Sequence, residues 1–431
     1  MSINTAQRDV PLWSRLVPVF LAVLLGTGGF AVLVPATPVL LEAAGSPLLF
    51  GMTQSAVSLC SLLASALLGW YSDLHGRRAA WIVFVTLVVC GSVPPLLGVV
   101  GLNRIGLILR MSPGVTKTLG SATVADSIAH DQKAQARANS LMAACFAAGF
   151  SLGAPLGGRL SRHGTTSCAA AAFFISVVQA FVVVLCFPRG GEAVSPNQLT
   201  VQHIGVNAPS ERGRDSSHKK TSEEGPARAL LQLWREGDVL VRVILSARSC
   251  LGFARMLIIS TFQLLTQQRF GSTPEEFGYF LSAVGGCFLL VNALVVPQVF
   301  RLPGVPQHGF FVAGCILLCL ARVSIAAAPS LALVVAAELV LALGDGLVSS
   351  SGTTLLSDLV PASQRGLVIG AGGSIETAAG VLAPAVSGWL FQNIGDFAPA
   401  AVSGVTCAMA AVVMLSASTS FAAATPKKKT L

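Results

Sequence analysis

Twelve runs of about twenty mostly apolar residues follow one another along this chain, beginning near Leu16, Gly51, Ala79, Ile105, Asn139, Thr166, Val239, Glu275, Gly309, Ser330, Gly366 and Phe397. Each has the length a helix needs to cross a hydrocarbon layer about 30 Å thick. With 53% of 431 residues hydrophobic, 11% charged and a mean hydropathy of +0.73, a soluble fold is excluded. The expected fold class is an all-α membrane protein with twelve transmembrane helices. The first run extends to Leu41, longer than the apolar core of a secretory leader, and reads as a retained first helix.

An abrupt change of composition divides six runs from six. Residues 188–238 are rich in Ser, Glu, Gly, Lys and Arg, and read as a linker with a short amphipathic piece near Ala227 to Trp234. The organisation expected is an N-terminal segment (1–15), a first half (16–187), the linker (188–238), a second half (239–421) and a basic tail (422–431). The halves echo each other: Asp126, Arg137 and Pro155 in the first correspond to Asp358, Arg365 and Pro384 in the second. Repeats of this kind build transporters whose site lies at midplane between the halves.

Basic residues set the expected orientation. Eighteen fall on the side that carries both termini and the linker, against Arg104, Arg159, Arg162, Arg269 and Arg322 in the opposite loops. Both termini are therefore expected to be cytoplasmic. The net charge of +9 follows from this bias and implies no nucleic-acid partner. The ten cysteines all fall in apolar runs without a C-x-x-C pair, so neither disulfides nor a metal site is expected.

The stretch from Gly69 to Arg78, GWYSDLHGRR, is a charged hinge between the second and third runs. Asp73, Arg77 and Arg78 cannot sit in hydrocarbon, so the chain must surface there, and Gly69 and Gly76 suit a sharp turn and a close helix approach. Gly69, Asp73, Gly76, Arg77 and Arg78 match the spacing of G-x-x-x-D-R-x-G-R-R/K, and the stretch resembles the signature loop of the major facilitator superfamily. Leu74 stands where that pattern has a basic residue. Gly29, Pro35 and Pro38 resemble the first-helix pattern of the tetracycline-resistance-like drug/proton antiporters, with Gly26 in place of its Asp. Arg110 and Gly114 resemble the R-x-x-x-G of the fourth helix. Gly149, Gly153, Pro155, Gly157 and Gly158 resemble the antiporter pattern G-x-x-x-G-P-x-x-G-G, with the proline one residue late. The resemblance implies alternating access, a cavity lined by helices one, four, seven and ten, and a latch formed by Asp73, Arg77 and Asp126.

Charges at membrane depth are costly and usually functional. Arg110 and Lys117 lie in the fourth run, Arg248 and Arg255 in the seventh, Glu338 and Asp345 in the tenth, each pair spaced i, i+7 on one helix face. With helix centres placed near Gly252 and Leu343, the depths predict the pairs Arg255–Glu338 and Arg248–Asp345. No acid in the first half lies deep enough to neutralise Lys117, the strongest candidate for substrate contact. Glu376, midway along the eleventh run, either carries a proton or pairs with an arginine.

These features predict a secondary transporter of a small organic solute, with proton-coupled efflux as one reading. An organic-anion uniporter or symporter and a non-transporting sensor are the others. No G-x-x-x-x-G-K-[ST] motif and no nucleophile–base constellation occurs, so neither ATP-driven transport nor an enzyme is expected. No cofactor is expected; the partners expected are the substrate, protons in one reading and the lipid bilayer, for a monomer.

Overall fold

The computed structural model describes residues 12–41, 46–110, 114–128, 132–187, 239–302, 305–360 and 365–418. The N-terminal 11 residues, the linker and the basic tail lie outside them. The described residues are helical throughout, with no strand among them.

The helices in chain order are α1 (Leu12–Leu33), α2 (Pro47–His75), α3 (Arg77–Ser92), α4a (Val100–Arg110), α4b (Gly114–Ser127), α5 (Gln132–Ser161) and α6 (Thr165–Cys186). The second half follows with α7 (Val239–Phe270), α8 (Pro274–Leu290), α9 (Gln307–Ala327), α10 (Leu331–Asp358), α11a (Arg365–Gly380), α11b (Ala383–Asn393) and α12 (Ala398–Ser416). A short 3₁₀ turn, Val34–Ala36, and the helix Thr37–Leu40 prolong α1, and a π-helical turn, Val291–Val295, prolongs α8. Among the described residues, ten spans are long and apolar enough to cross a membrane. The fourth position is described on either side of residues 111–113, and the eleventh is helical in two pieces, breaking just before Pro384, which has no N–H for the helical ladder.

Local chemistry sets several of these boundaries. Ser46 caps α2 by accepting from Leu49 N at 3.3 Å. Thr273 and Glu276 form a capping box at the start of α8. Gly76, at φ 86°, is the whole of the hinge between α2 and α3. The sequence suggests a loop over Gly69 to Arg78; the structure instead keeps α2 helical through His75.

The halves share one packing plan. In the first, α1 packs on α5 and α6, and α3 packs on α6; in the second, α7 packs on α11 and α12, and α9 packs on α12. Two equivalent crossings join the halves, α5 with α8 and α2 with α11. Without a hydrophobic drive between helices in lipid, such contacts depend on small residues that admit close backbone approach. A β-carbon on Gly278 would lie 2.5 Å from Ala154 O, and one on Gly158 would lie 2.9 Å from Pro274 O. In the other crossing, Gly51 meets Pro384 O and Gly388 meets Pro47 O in the same way.

Among the described residues, the buried core that both halves share lies at one end. A single buried core containing Val32, Phe50, Phe262, Phe277, Phe280 and Phe391 runs through both halves at the end away from the linker, the far end. Towards the linker end the core divides, one part around Trp81 and Phe84 in the first half and another around Phe311 and Leu356 in the second. A β-carbon at Gly69, Gly286 or Gly373 would meet nothing within 4 Å. Among the described residues, the close approach expected at Gly69 is therefore not formed.

Candidate functional site

The far end is closed by polar contacts laid over the glycine crossings. Arg162, in the turn that follows α5, forms an ion pair with Glu275 on α8. Ser282 Oγ donates to Ser151 O at 2.7 Å, Gln263 Nε2 donates to Pro35 O at 2.6 Å, and Ala385 N donates to Ser55 Oγ at 2.9 Å. Leu48 N donates to Gln392 Oε1 at 3.2 Å. Among the described residues, every hydrogen bond or ion pair with one described partner in each half belongs to this group.

Above this closure the second half carries a chain of charges. Arg255 Nη2 donates to Asp345 Oδ1 at 2.6 Å, and its Nη1 lies 2.9 Å from Glu376 Oε1. Glu376 Oε2 in turn accepts from Arg248 Nη2 at 3.1 Å. The sequence-derived pairs Arg255–Glu338 and Arg248–Asp345 are not formed. The reason is depth: α7 and α10 are centred next to Arg255 and Asp345 themselves, so these two meet at the middle of their helices. Glu376 takes the arginine-pairing alternative. Arg255 faces the opening, with 40% of its side chain exposed against 18% for Asp345 and Glu376.

The sequence places Arg322 in a loop, but it lies inside α9 and is 5% exposed. With Arg255, Asp345, Leu318 and Cys407 it lines a cavity with room for about one water molecule. Its Nε is buried without a hydrogen-bond partner. Glu338 lies on α10, the helix packed against the α9 that carries Arg322. Span length alone could have found this arginine, since a twenty-residue helix from Gly309 runs past it.

In the first half, Arg110 is 4% exposed and donates from Nη1 to the hydroxyls of Ser92 and Ser176, the latter at 3.3 Å. It packs beside Gly29. Lys117 falls on α4b, with its side chain outside the described residues. Gly26 faces Gln179 on α6: a β-carbon there would lie 2.5 Å from Gln179 Nε2, which donates to Ala22 O at 3.0 Å. An amide thus fills the space where the resembling pattern carries a carboxylate.

The glycine motif is structural. Gly149, Gly153 and Gly157 lie one α-helical turn apart on α5, and their β-carbons would run into Leu24 O, Gly28 O and Val32 O of α1. Gly158 faces α8 instead. Pro155 is accommodated within α5, and Pro35 and Pro38 are buried at the end of α1. At the linker end, Arg77 Nε donates to Asp126 Oδ2 at 2.5 Å and Nη1 donates to Ser72 Oγ at 2.8 Å. Arg78 donates to Val184 O at 2.6 Å. The side chain of Asp73 lies outside the described residues, so two of the three expected latch residues are brought together.

Solved transporters share this fold. The chain is similar to the human organic anion transporter MFSD10 (TETRAN), with 18% identity, a TM-score of 0.64 and coverage of 94% of this chain and 100% of that one. It is similar to a mutant form of the nucleoside transporter NupG, with 14% identity, a TM-score of 0.70 and coverage of 94% and 99%. The POT family transporter PepTSo is similar at 13% identity, a TM-score of 0.68 and coverage of 95% and 99%. At these identities the likeness shows the fold. No curated protein matches the chain in sequence. The family model described as Major Facilitator Superfamily matches residues 19–306 and 244–430, and the chain belongs to that superfamily.

Proposed function

We propose that this protein is a secondary transporter of a small organic anion, working by alternating access. The observation that carries the reading is the partition of intramembrane charge. In the second half, Arg248, Arg255 and Arg322 are matched in number by Glu338, Asp345 and Glu376. The first half holds Arg110 and Lys117 with no acid at membrane depth. A solute entering between the halves therefore meets a surplus of positive charge on the first-half side, which favours a negative group. The proton gradient is the expected driving force, with the carboxylates of the second half as carriers.

The basic-residue bias makes the linker end cytoplasmic, so the state described here is open to the cytoplasm and closed outside. The Gly26 departure argues against the antiporter branch, because Gln179 occupies the place of its acid. The test is flux in proteoliposomes holding the purified protein and a pH-sensitive dye, challenged with organic anions, cations and neutral solutes. Anions should be transported, and Lys117→Ala should lower the response at least about tenfold, the cost of one lost charged contact. Transport of cations or neutral solutes alone would overturn the assignment.

A further inference from the structure

Glu376 reaches two arginines because α7 and α11a interlock along one face of each. Arg248, Gly252 and Met256 recur every four residues on α7, and Gly372, Glu376 and Gly380 do the same on α11a. A β-carbon on Gly252 would collide with Glu376 O, one on Gly380 would lie 2.7 Å from Met256 Cγ, and one on Gly372 would lie 3.5 Å from Arg248 Nε. Each glycine thus faces a large residue of the other helix, and the Glu376 backbone comes against α7 about one turn from both arginines. The equivalent crossing of the first half, Gly149 and Gly153 on Gly28, is built from glycine and carries no carboxylate.

The carboxylate of Glu376 is divided between the two. Oε1 lies 2.9 Å from Arg255 Nη1, and Oε2 accepts from Arg248 Nη2 at 3.1 Å. A guanidinium binds a carboxylate best through two parallel N–H groups, and Glu376 receives that fork from neither arginine. Arg248 holds the other half of one: its Nη1 is buried and makes no hydrogen bond among the described residues. Leaving such a donor without an acceptor is costly. Arg248 is also the more buried of the two, 14% exposed against 40% for Arg255, which faces the opening. The buried arginine therefore has the unused donor, and the exposed one carries the group that a solute can displace.

We infer that Glu376 is a built-in stand-in for the substrate: the substrate is a carboxylate whose head group replaces Glu376 on Arg255, and Glu376 then closes both oxygens on Arg248. One ion pair is exchanged for another. Arg255 Nη1 releases Glu376 Oε1 and takes a substrate oxygen, Glu376 Oε1 turns to Arg248 Nη1, and Asp345 keeps Arg255 Nη2. No proton moves in this step. The charges of Arg248, Arg255, Asp345 and Glu376 sum to zero, so the negative charge that the substrate adds falls to the first-half surplus of Arg110 and Lys117. Arg248 is a positioning residue, acting on the substrate through Glu376. The inference rests on the organic-anion reading above and narrows it to carboxylates.

The experiment measures, by calorimetry on the purified protein, the binding of carboxylates and sulfonates paired on the same phenyl, hexyl and naphthyl bodies. In the wild type the carboxylate of a pair should bind at least about tenfold tighter than the sulfonate. Glu376→Gln removes the competitor and should tighten carboxylate binding about tenfold, whereas Arg248→Gln leaves Glu376 on Arg255 and should weaken it about tenfold. The double variant should bind as tightly as Glu376→Gln alone, because Arg248 acts only through Glu376. Arg248→Lys keeps the charge without the fork, so its affinity should fall between the wild type and Arg248→Gln, a comparison that leaves every carboxylate in place. Preference for sulfonates, or an Arg248→Gln loss of equal size with and without Glu376, overturns the inference alone. A wild type that binds no organic anion overturns the inference together with the reading on which it rests.

Discussion

Arg162 and Glu275 form the ion pair that joins the two halves at the far end, and the residues related to them by the internal repeat, Gln392 and Leu48, replace it with an amide-to-backbone hydrogen bond. One crossing is therefore clamped by charge and its twin is not. The glycines beneath are matched, Gly278 and Gly158 in one crossing and Gly51 and Gly388 in the other. Closure is built twice, and its electrostatic bias once.

Glu275→Gln should therefore favour opening of the far end. Arg162 is largely exposed, at 69% of its side chain, so the change is modest, no more than about fivefold in population. Labelling of a single cysteine placed beside Ser282 checks it: faster labelling in the variant is expected, and Gln392→Ala should do less.

Glu376 is the shared partner of Arg248 and Arg255. Glu376→Gln leaves two cations of the membrane interior short of a carboxylate, a loss of about 3 kcal/mol before discounting for the exposure of Arg255. Thermal melting in detergent should show a much larger decrease than for Glu276→Gln, whose side chain serves only the exposed capping box of α8.

Gly26→Asp should not restore an antiporter-like acid. The new side chain collides with Gln179 Nε2, and overpacking of this kind costs about 1–3 kcal/mol. Gln179→Ala makes room, so the double variant should melt closer to the wild type than Gly26→Asp does. Equal melting of the single and double variants contradicts this account.

Arg269 Nε donates to Asp396 Oδ2 at 2.6 Å in the loop before α12, and this bond holds the Asp396 carboxyl below its usual range. A depressed carboxylate contributes stability above its unfolded value of about 3.9 and loses it as pH falls through the folded value. The melting difference between wild type and Asp396→Asn should be constant from about pH 5 to about pH 8 and shrink only in stronger acid.

Much of this architecture was legible in the sequence because hydrocarbon imposes simple rules. Run length set the twelve helices. Contact partners were less accessible. The pairing of Arg255 with Asp345 depended on where α7 and α10 are centred, and a shift of about two residues, some 3 Å along a helix, was enough to exchange partners. Arg322 was lost to a boundary placed too early. Gln179 facing Gly26 is a tertiary fact that no local pattern encodes, as is the position of the core that both halves share.

Closure at one end and opening at the other are tested by paired spin-label distances across both ends. One pair would sit on α2 and α11a near the linker end, the other on α5 and α8 near the far end, in wild type and in Gly278→Trp. The tryptophan cannot fit against Ala154 O, so the far-end distance should lengthen and the linker-end distance should shorten together. A far end that widens while the linker-end distance stays unchanged would contradict alternating access in this protein.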